Sequence, residues 1–336
     1  GGRGMEVVYD PENLTKYMDA AVGVTPDRPI LIDRFLNHAM ECEADAISDG
    51  THAFVPAVME HIELAGVHSG DSACIIPSRH ISEKNVKTIK EYTRKIAEEM
   101  GVKGLMNMQY AIENDKVYVL EANPRASRTV PLVSKVCNIR MVPLAIDIVT
   151  SELTGRPSPV PGLKEKNIPY YGVKESVFPF NMFQEVDPVL GPEMRSTGEV
   201  LGLSEFYGEA FFKAQEVAKG FADAGFHILA TKGTQKVLAD AGIVSEFVYK
   251  LSEGRPNISD LITNGKIDLI INTPRGADGT LDDSYLRKAA IRKKIPYITT
   301  MAAAKATASG IESMNKPGCG VVRSLQELHS TITDKE

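Results

Sequence analysis

The chain has 336 residues, of which 43% are hydrophobic and 24% charged, so it is long enough for two or three domains with sizeable cores. Its formal net charge of -6 argues against a nucleic-acid partner, because such proteins usually carry a basic surface field. No apolar run reaches the ~18 residues of a membrane span and no signal peptide is visible. The four scattered cysteines form no CxxC pair, which favours a reducing, cytoplasmic setting over a zinc site or a disulfide framework.

The first residues, GGRGMEVVYD, predict a glycine-rich loop followed by a strand over residues 5–9. Because a natural chain rarely begins on such a loop, this start indicates a fragment, a split subunit, or a sequence confined to ordered residues. A second strand is predicted at PILIDRFL, residues 29–36. The stretch MECEADAISDG at 40–50 alternates apolar and acidic residues, which predicts a strand with HAFVPAVMEHIE at 52–63 as its hairpin partner.

Further along, residues 85–100 have the apolar spacing of a helix. The segment GLMNMQYAIENDKVYVLEANP at 104–124 predicts a hairpin whose loop is residues 114–116. Residues 130–153 predict helix with a break at Pro143. The three prolines of RPSPVPG at 156–162 then mark a domain boundary.

The chain after this boundary divides into two parts. Residues 164–214 are rich in glycine and proline and predict an irregular connector that packs on the first domain. From about residue 216, helices predicted at 217–224, 235–241, 258–264, 283–293 and 302–309 alternate with short strands. This alternation is typical of a doubly wound parallel sheet. We therefore predict an α/β protein with domains at residues 1–155, 156–215 and 216–336.

An unusual polar cluster ends one predicted strand, in VYVLEANPRASR at 117–128. Glu121 and Asn123 point to the same side of the strand, and a three-residue hairpin loop places Gln109 opposite Glu121, with Cβ atoms roughly 5 Å apart. These oxygens suit a magnesium ion shared with nucleotide phosphates. Arg125 and Arg128 can reach the same phosphoryl region and offset its charge. The alternative is a solvated strand end with surface ion pairs.

Four segments carry a resemblance to a known family: MEHIELAGVHSGDSA, GLMNMQYA, EANPRASRTVPLVSK and FPFNMFQEVDPVLGPEMRSTGEV. They resemble the C-terminal half of the large subunit of carbamoyl phosphate synthetase. The resemblance implies a partial ATP-grasp domain, built of antiparallel or mixed sheets with helices, followed by a regulatory domain with a doubly wound parallel sheet. It also implies that the first of these phosphorylates carbamate with ATP.

The same resemblance implies roles for individual residues. Gln109, Glu121 and Asn123 would hold Mg²⁺ or Mn²⁺ with ATP, with K⁺ as a further candidate cation. Arg125, Arg128 and Arg3, the last in a glycine-rich loop over the phosphates, would lie at the phosphoryl acceptor. Nucleotide contacts would also involve Gln109 and Glu121, and further contacts are expected at Arg34, Leu36, Glu41, Gly66, Val67, His68 and Ser69. For His68 the alternative is an ordinary structural hydrogen bond, and Arg34 is expected to make at most a backbone contact.

The C-terminal region predicts an anion site of its own. Thr231, Gly233 and Thr234 lie at a predicted helix N-terminus, where backbone N–H groups attract anions. Lys250 and the pair Asn272–Thr273 end neighbouring strands. The alternative is routine N-capping by Thr231 or Thr234.

This region resembles the methylglyoxal-synthase-like regulatory domain of the same subunit. The resemblance implies that Thr231, Thr234, Lys250, Asn272 and Thr273 bind a nucleoside monophosphate such as UMP, while IMP and ornithine remain open as effectors. Glu63 and Asp71 match acidic positions near which an amine effector binds in some family members. One departure concerns FFKAQEVAKGF, where a strand that the family carries is either absent or lost from the sequence.

The resemblance as a whole implies ATP-dependent carbamate phosphorylation within glutamine- or ammonia-dependent carbamoyl phosphate synthesis, serving pyrimidine and arginine biosynthesis. It implies a glutaminase small subunit as partner and an oligomeric assembly. Two alternatives stay open. One is a non-catalytic regulatory or scaffold fragment of that subunit. The other is a different ATP-grasp ligase such as a carboxylase, against which GPEMRSTGEV and the C-terminal domain argue.

Overall fold

The computed structural model describes residues 5, 7–24, 30–36, 39–179, 190–205, 225–272, 276–314, 316, 321 and 323–335. Arg3, Thr273 and the helix predicted at 217–224 lie outside these residues. Within the described ranges, no helix combines the length and apolar character needed to cross a membrane.

A large sheet forms the centre of the first 205 residues. Its strands are β1 (Met40–Asp49), β2 (Ala53–Phe54), β3 (Met59–Leu64), β4 (Cys74–Ile76), β5 (Lys103–Glu113), β6 (Lys116–Asn123), β8 (Tyr171–Val177) and β9 (Gly198–Ser204). Seven of them run in the order β6-β5-β1-β3-β4-β8-β9, and β2 pairs with β1. All of these pairings are antiparallel. The segment predicted as an irregular connector therefore contributes β8 and β9 to this sheet, and β7 (Lys166–Asn167) lies apart from it.

The hairpin predicted from the acidic alternation forms, but β1 is buried on both faces rather than one. Its apolar side chains Cys42, Ala44 and Ala46 pack in one core cluster with Ile89 and other side chains of helix α2 (Glu83–Glu99). The alternate positions carry carboxylates that are also nearly inaccessible to solvent. Since a buried carboxylate needs hydrogen-bond or charged partners, neighbouring elements must supply polar groups to this face of β1.

The β5–β6 hairpin reaches its predicted register by an unpredicted route. Its loop has two residues, Asn114 and Asp115, with φ angles of 52° and 60°, instead of the predicted three. Such a loop alone would place Leu120 opposite Gln109. A bulge between Gln109 and Tyr110 skips Leu120, so Gln109 pairs with Glu121 as predicted.

The helical segment after β6 breaks earlier than predicted. Helix α3 spans Val130–Val136 and α4 spans Met141–Val149, followed by the short α5 (Ser151–Thr154). The break lies at residues 137–140, where Asn138 has a φ of 49°. Pro143 lies in the first turn of α4, where its missing N–H breaks no helical hydrogen bond.

Two predicted strands near the N-terminus are wrong. Residues 7–9 and 30–36 have no regular structure, and helix α1 (Pro11–Val24) lies between them. Leu31 and Ile32 are exposed. Their apolar character, which suggested a strand, therefore reflects no sheet pairing among the described residues.

The C-terminal region contains two parallel strand pairs. Strand β10 (Leu229–Ala230) pairs with β11 (Glu246–Phe247) across helix α6 (Lys232–Asp240). Strand β12 (Ile270–Ile271) pairs with β13 (Tyr297–Ile298). In chain order, helix α7 (Ile258–Thr263) precedes β12, α8 (Gly276–Lys293) connects the two strands, and α9 (Met301–Met314) follows β13. The parallel βαβ arrangement is as predicted. Beyond it, α10 (Leu325–His329) leads to β14 (Thr333–Asp334), which pairs with β7.

Candidate functional site

Two rows of polar residues cross the sheet from β1 through β5 to β6. In the first row, Glu43 pairs with Gln109, which pairs with Glu121. In the second, Asp45 pairs with Asn107, which pairs with Asn123. Directly opposed residues share a face of the sheet, and successive rows are two residues apart, so all six positions lie on the same face.

The three predicted metal ligands occupy adjacent positions on this face. Glu121 is exposed, whereas Gln109 is half-buried and donates from Nε2 to the Ser69 hydroxyl at 3.3 Å. The Nδ2 atom of Asn123 is buried and lacks a hydrogen-bond partner in the described structure. One carboxylate and two carboxamides fit a Mg²⁺ ion that takes its remaining ligands from phosphate and water. No cluster of three or more His, Cys, Asp or Glu within the described ranges could hold a metal.

The predicted arginines differ in how they are held. Arg128 donates from Nη1 to the Ser196 hydroxyl at 3.1 Å and contacts Met194 Sδ at 2.9 Å. Its Nε lies 4.0 Å from Glu199 Oε2. The Arg125 side chain is exposed and, within the described part of the chain, donates to the Ala126 carbonyl at 3.3 Å. The connector therefore fixes one guanidinium and leaves the other facing solvent.

The loop at residues 65–72 lies against these groups. The Nδ1 atom of His68 accepts a hydrogen bond from the Gly70 N–H at 3.0 Å, so the neutral ring carries its proton on Nε2. Lys174, which is buried, donates to the carbonyls of Ser69 at 3.2 Å and Gly70 at 3.4 Å. A Cβ at Gly70 would lie 3.1 Å from Arg128 Nη1. The loop and the arginine thus lie in contact. His68 makes the structural hydrogen bond that was the alternative for it, and it makes that bond within the loop next to Arg128.

The predicted nucleotide contacts Arg34, Leu36 and Glu41 differ from one another in exposure and in hydrogen-bond partners. The guanidinium of Arg34 forms an ion pair with Glu113 at 3.0 Å, and Leu36 is half-buried. Glu41 is buried, and its Oε2 has no partner among the described residues. Burial, with a smaller contribution from Glu43, raises the pKa of Glu41 to about 8. An orphaned oxygen of this kind is suited to a ligand hydroxyl or a cation.

Gly66 needs its conformational freedom, since its φ is 104°. Its position lies beside Phe35, because a Cβ there would be 3.6 Å from that ring. Val67 and Ser69, also predicted to line the nucleotide, are half-buried in the same loop. The loop at 65–72 therefore contacts the segment at 30–36 through Gly66 and the polar face through Ser69.

Sequence reasoning missed the buried second layer of this site: Glu43, Asp45, His61, Asn107 and Lys174. Burial, and to a smaller extent Glu43, raises the pKa of Asp45 to about 6. Burial and the nearby Lys174 ammonium lower the pKa of His61 to about 3. The ring is therefore neutral, and its 3.7 Å approach to Glu43 is not an ion pair. The acidic alternation in MECEADA was the available signal.

The two acidic positions matched to an amine effector both hold the loop. Asp71 accepts backbone N–H groups from Arg195 at 2.7 Å and Ser196 at 2.8 Å. Glu63 accepts from the Ala73 N–H at 2.7 Å, and its pKa is raised to about 7, chiefly by burial. Both carboxylates therefore have structural partners at this end of the sheet.

Among the described effector candidates, Thr231 and Asn272 directly follow strands of the C-terminal region, whereas Thr234 lies within α6 and Lys250 lies three residues after β11. Thr231 follows β10 at the N-cap of α6, but its side chain makes no capping hydrogen bond. Thr234 and Lys250 are exposed, and Lys250 Nζ lies 3.8 Å from Glu253. Asn272 follows β12 and donates to the Tyr297 hydroxyl at 2.9 Å. Convergence of these residues on one ligand stays a prediction.

Comparison with known proteins gives two family matches and several relatives. Residues 1–153 match the carbamoyl-phosphate synthase L chain, ATP binding domain, and residues 213–299 match the MGS-like domain. A carbamoyl phosphate synthase large chain, C-terminal section, from Aquifex aeolicus is 44% identical over 98% of this chain and 70% of that protein. The chain belongs to the family of carbamoyl phosphate synthase large chains.

Other large chains differ in how much of them this chain covers. The C-terminal section from Methanopyrus kandleri is 45% identical over 98% of this chain and 66% of its own length. The large chain of Acidobacterium capsulatum is 45% identical over 98% of this chain and 33% of that protein. This chain therefore spans about a third of the undivided large chains it matches. A biotin carboxylase structure from Campylobacter jejuni aligns at a TM-score of 0.44 and 17% identity, over 53% of this chain and 40% of its own, which is too distant to bear on the activity.

The residues of the candidate site divide between the ATP-binding match and the connector that follows it. All the residues from Glu41 to Arg128 fall within the match to the family's ATP-binding domain. The residues that hold Arg128, namely Met194, Ser196 and Glu199, lie between the two matched ranges. The connector thus completes the surroundings of an arginine carried by the ATP-binding part of the family.

Proposed function

We propose that this chain transfers the γ-phosphoryl group of ATP to carbamate, forming carbamoyl phosphate and ADP. The observation that carries the proposal is the register of β5 and β6. It puts a carboxylate and two carboxamides on one face of the sheet, where Gln109 contacts the loop at 65–72, which in turn contacts Arg128. This arrangement lies in a chain whose first 153 residues match the ATP-binding domain of carbamoyl phosphate synthase.

The chain's own groups would act by positioning and charge compensation. Gln109, Glu121 and Asn123 would hold the divalent cation, which when bound neutralises phosphate charge and draws the phosphates together. A carbamate oxygen attacks the γ-phosphorus in line with the departing ADP oxygen. Arg125 and Arg128 offset charge on the transferring group. No protein nucleophile takes part, because orientation and electrostatic stabilisation supply the catalysis.

We further propose that residues 1–155 are catalytic, that 156–215 connect, and that 216–336 bind an effector such as UMP. The free capping position of Thr231 supports an anion at that helix N-terminus. A glutaminase small subunit would deliver ammonia, and the assembly would be a cytoplasmic oligomer in pyrimidine and arginine biosynthesis. These expectations rest on the family membership.

The test of the proposed reaction is ADP formation from ATP and carbamate by Glu121→Gln. Loss of the carboxylate charge should lower kcat by at least about 100-fold, since it weakens the electrostatic stabilisation of the transferring phosphoryl group. The matched control is Glu91→Gln on the exposed face of α2, which should retain wild-type activity. Near-wild-type turnover by Glu121→Gln would refute the metal assignment. No carbamate-dependent ADP formation by the wild-type chain would favour the non-catalytic alternative.

The effector site is tested by titrating the chain with UMP, IMP and ornithine in a calorimeter. UMP should bind, and Thr234→Ala and Lys250→Ala should each weaken it by roughly tenfold, the effect of one charge-assisted hydrogen bond. Lys266→Ala, an exposed lysine between α7 and β12, is the matched control. Equal binding by all three variants would contradict the assignment of these residues.

A further inference from the structure

A buried carboxylate on β1, an interior strand of the sheet, holds the loop that carries both arginines. Asp45 is 0% exposed. Its Oδ1 accepts from Ser127 Oγ at 2.7 Å and from Asn107 Nδ2 at 3.0 Å, and its Oδ2 accepts from Thr129 Oγ1 at 2.7 Å. Three donors therefore converge on one carboxylate, which can only accept when ionised.

Two of these donors flank Arg128 in sequence. Residues 124–129, between β6 and α3, have no helix or strand structure, and Asp45 is bonded to the last part of this loop. The Ser127 and Thr129 hydroxyls also lie 2.8 Å from each other. Hydrogen bonds on both sides of Arg128 thus attach the loop to β1, an interior strand of the sheet.

The Thr129 hydroxyl bonds to Asp45 and does not cap the helix that follows it. It occupies the N-cap of α3 but makes no capping hydrogen bond. A threonine in that position ordinarily accepts a hydrogen bond from a backbone N–H in the first turn of the helix. Here its hydroxyl donates to Asp45 instead, with a longer contact of 3.4 Å to Glu43. The helix forgoes a cap, and the loop before it gains a fixed position.

We propose that Asp45 is a positioning residue for the phosphoryl transfer, acting through Ser127 and Thr129 to fix the guanidinium of Arg128. This inference rests on the proposed function. Asp45 touches neither nucleotide nor acceptor, because it is fully enclosed and both of its oxygens are bonded to protein. The connector holds Arg128 at its guanidinium end, and Asp45 holds the backbone from which that side chain extends.

The test is a double-mutant cycle of Asp45→Ala and Arg128→Ala, read by ADP formation from ATP and carbamate. Each single variant should lower kcat by about 100-fold, because a small displacement of a positioned group costs that much. The double variant should be no slower than Arg128→Ala, since the two residues act as a unit. The dissociation constant of an ATP analogue should change less than about threefold in Asp45→Ala, because Gln109 and Glu121 remain.

Rescue and folding controls accompany the cycle. Asp45→Asn should recover to within about tenfold of wild type, because its oxygen can accept from Ser127 and Asn107 while its amide donates to Thr129. The double substitution Ser127→Ala/Thr129→Val removes the two hydroxyl donors and leaves Asp45 in place. It should show the same kcat loss, and it serves as the test if Asp45→Ala does not fold. Multiplicative losses in the cycle, or wild-type kcat in the Ser127/Thr129 variant, would overturn the inference.

A second measurement separates this inference from the proposed function. Amide hydrogen exchange should speed up by at least about tenfold at residues 125–129 in the Ser127→Ala/Thr129→Val variant and stay unchanged in α2. Unchanged exchange in the loop overturns the positioning role, whatever the activity. Faster loop exchange in a chain that forms no ADP from carbamate would retain the positioning of Arg128 and reject the reaction proposed for it.

Discussion

At the scale of single residues, the site is defined by carboxylates that the fold keeps away from water. Burial raises the pKa of Glu41 to about 8, of Glu63 to about 7 and of Asp45 to about 6. Each of these groups therefore holds its proton more tightly in the folded chain than in the unfolded one. The fold therefore disfavours the ionised forms of these three carboxylates, because burial removes them from water.

The pKa of Glu41 predicts how stability changes with pH. Its folded pKa lies above the ordinary value of 4.5, so its contribution is fully present below about pH 4.5 and is lost as the pH rises through about 8. Glu41→Gln should therefore reduce the loss of unfolding free energy between about pH 5 and 8, as measured by urea titration of the ligand-free chain. Comparison with wild type at each pH cancels the opposite contribution of His61. Parallel curves for the two proteins would contradict the buried, protonated state of Glu41.

At the scale of elements, close packing between α3 and β8 holds the loop that precedes the helix. A Cβ added at Gly172 would lie only 2.2 Å from Val136 Cγ2 and 3.2 Å from Leu203 Cδ2. No side chain fits there without displacing α3. The contact thus links a strand of the connector to the helix that begins after Arg128.

Gly172→Ala should therefore lower the free energy of unfolding by about 1–3 kcal/mol, the usual cost of overpacking. Urea denaturation measures the loss. Gly198→Ala is the matched control, because the nearest atom to its Cβ would be Val177 Cβ at 3.7 Å, an ordinary contact. Adding Val136→Ala to Gly172→Ala removes the clash and should restore part of the loss. Equal stability of the two glycine variants would contradict this packing.

At the scale of the whole molecule, the C-terminal end of the chain packs into the core of the first part. Leu328 on α10 is 4% exposed and lies in the cluster formed by Val133, Val136 and other side chains around α3. The ring of His329 approaches the Lys135 carbonyl to 2.6 Å. Strand β14 extends this contact by pairing with β7. Residues 325–334 thus pack against α3, within the match to the ATP-binding domain, and pair with β7 of the connector.

Leu328→Ala should accordingly lower the free energy of unfolding of the part of the chain built around α3 by roughly 2–5 kcal/mol, the range for a leucine removed from a core. The decisive readout is hydrogen exchange in α3, which should become faster although the substitution lies 192 positions downstream of Val136. Leu153→Ala, at a leucine 88% exposed, is the control and should change neither quantity. Unaltered exchange in α3 would show that the C-terminal segment does not contribute to that core.

Much of this architecture was predictable because local chemistry and local structure agree. Helix α2, the β1 hairpin and the parallel pairs of the C-terminal region follow from periodicity and turn residues. The strand predicted at 29–36 was wrong, because an apolar run forms a strand only where a neighbour offers hydrogen bonds. The break predicted at Pro143 was misplaced, because a proline in the first turn of a helix is tolerated.

The sequence by itself determined which chemistry is present: carboxylate and carboxamide groups with two arginines at one strand end, and alternating acids on another strand. Only the tertiary structure decided how these groups meet. A bulge that skips Leu120 sets the pairing of Gln109 with Glu121, and the position of β1 inside the sheet buries Asp45 beneath the arginine loop. Register and burial depend on neighbouring strands distant in sequence, so no local pattern within β1 or β6 encodes them.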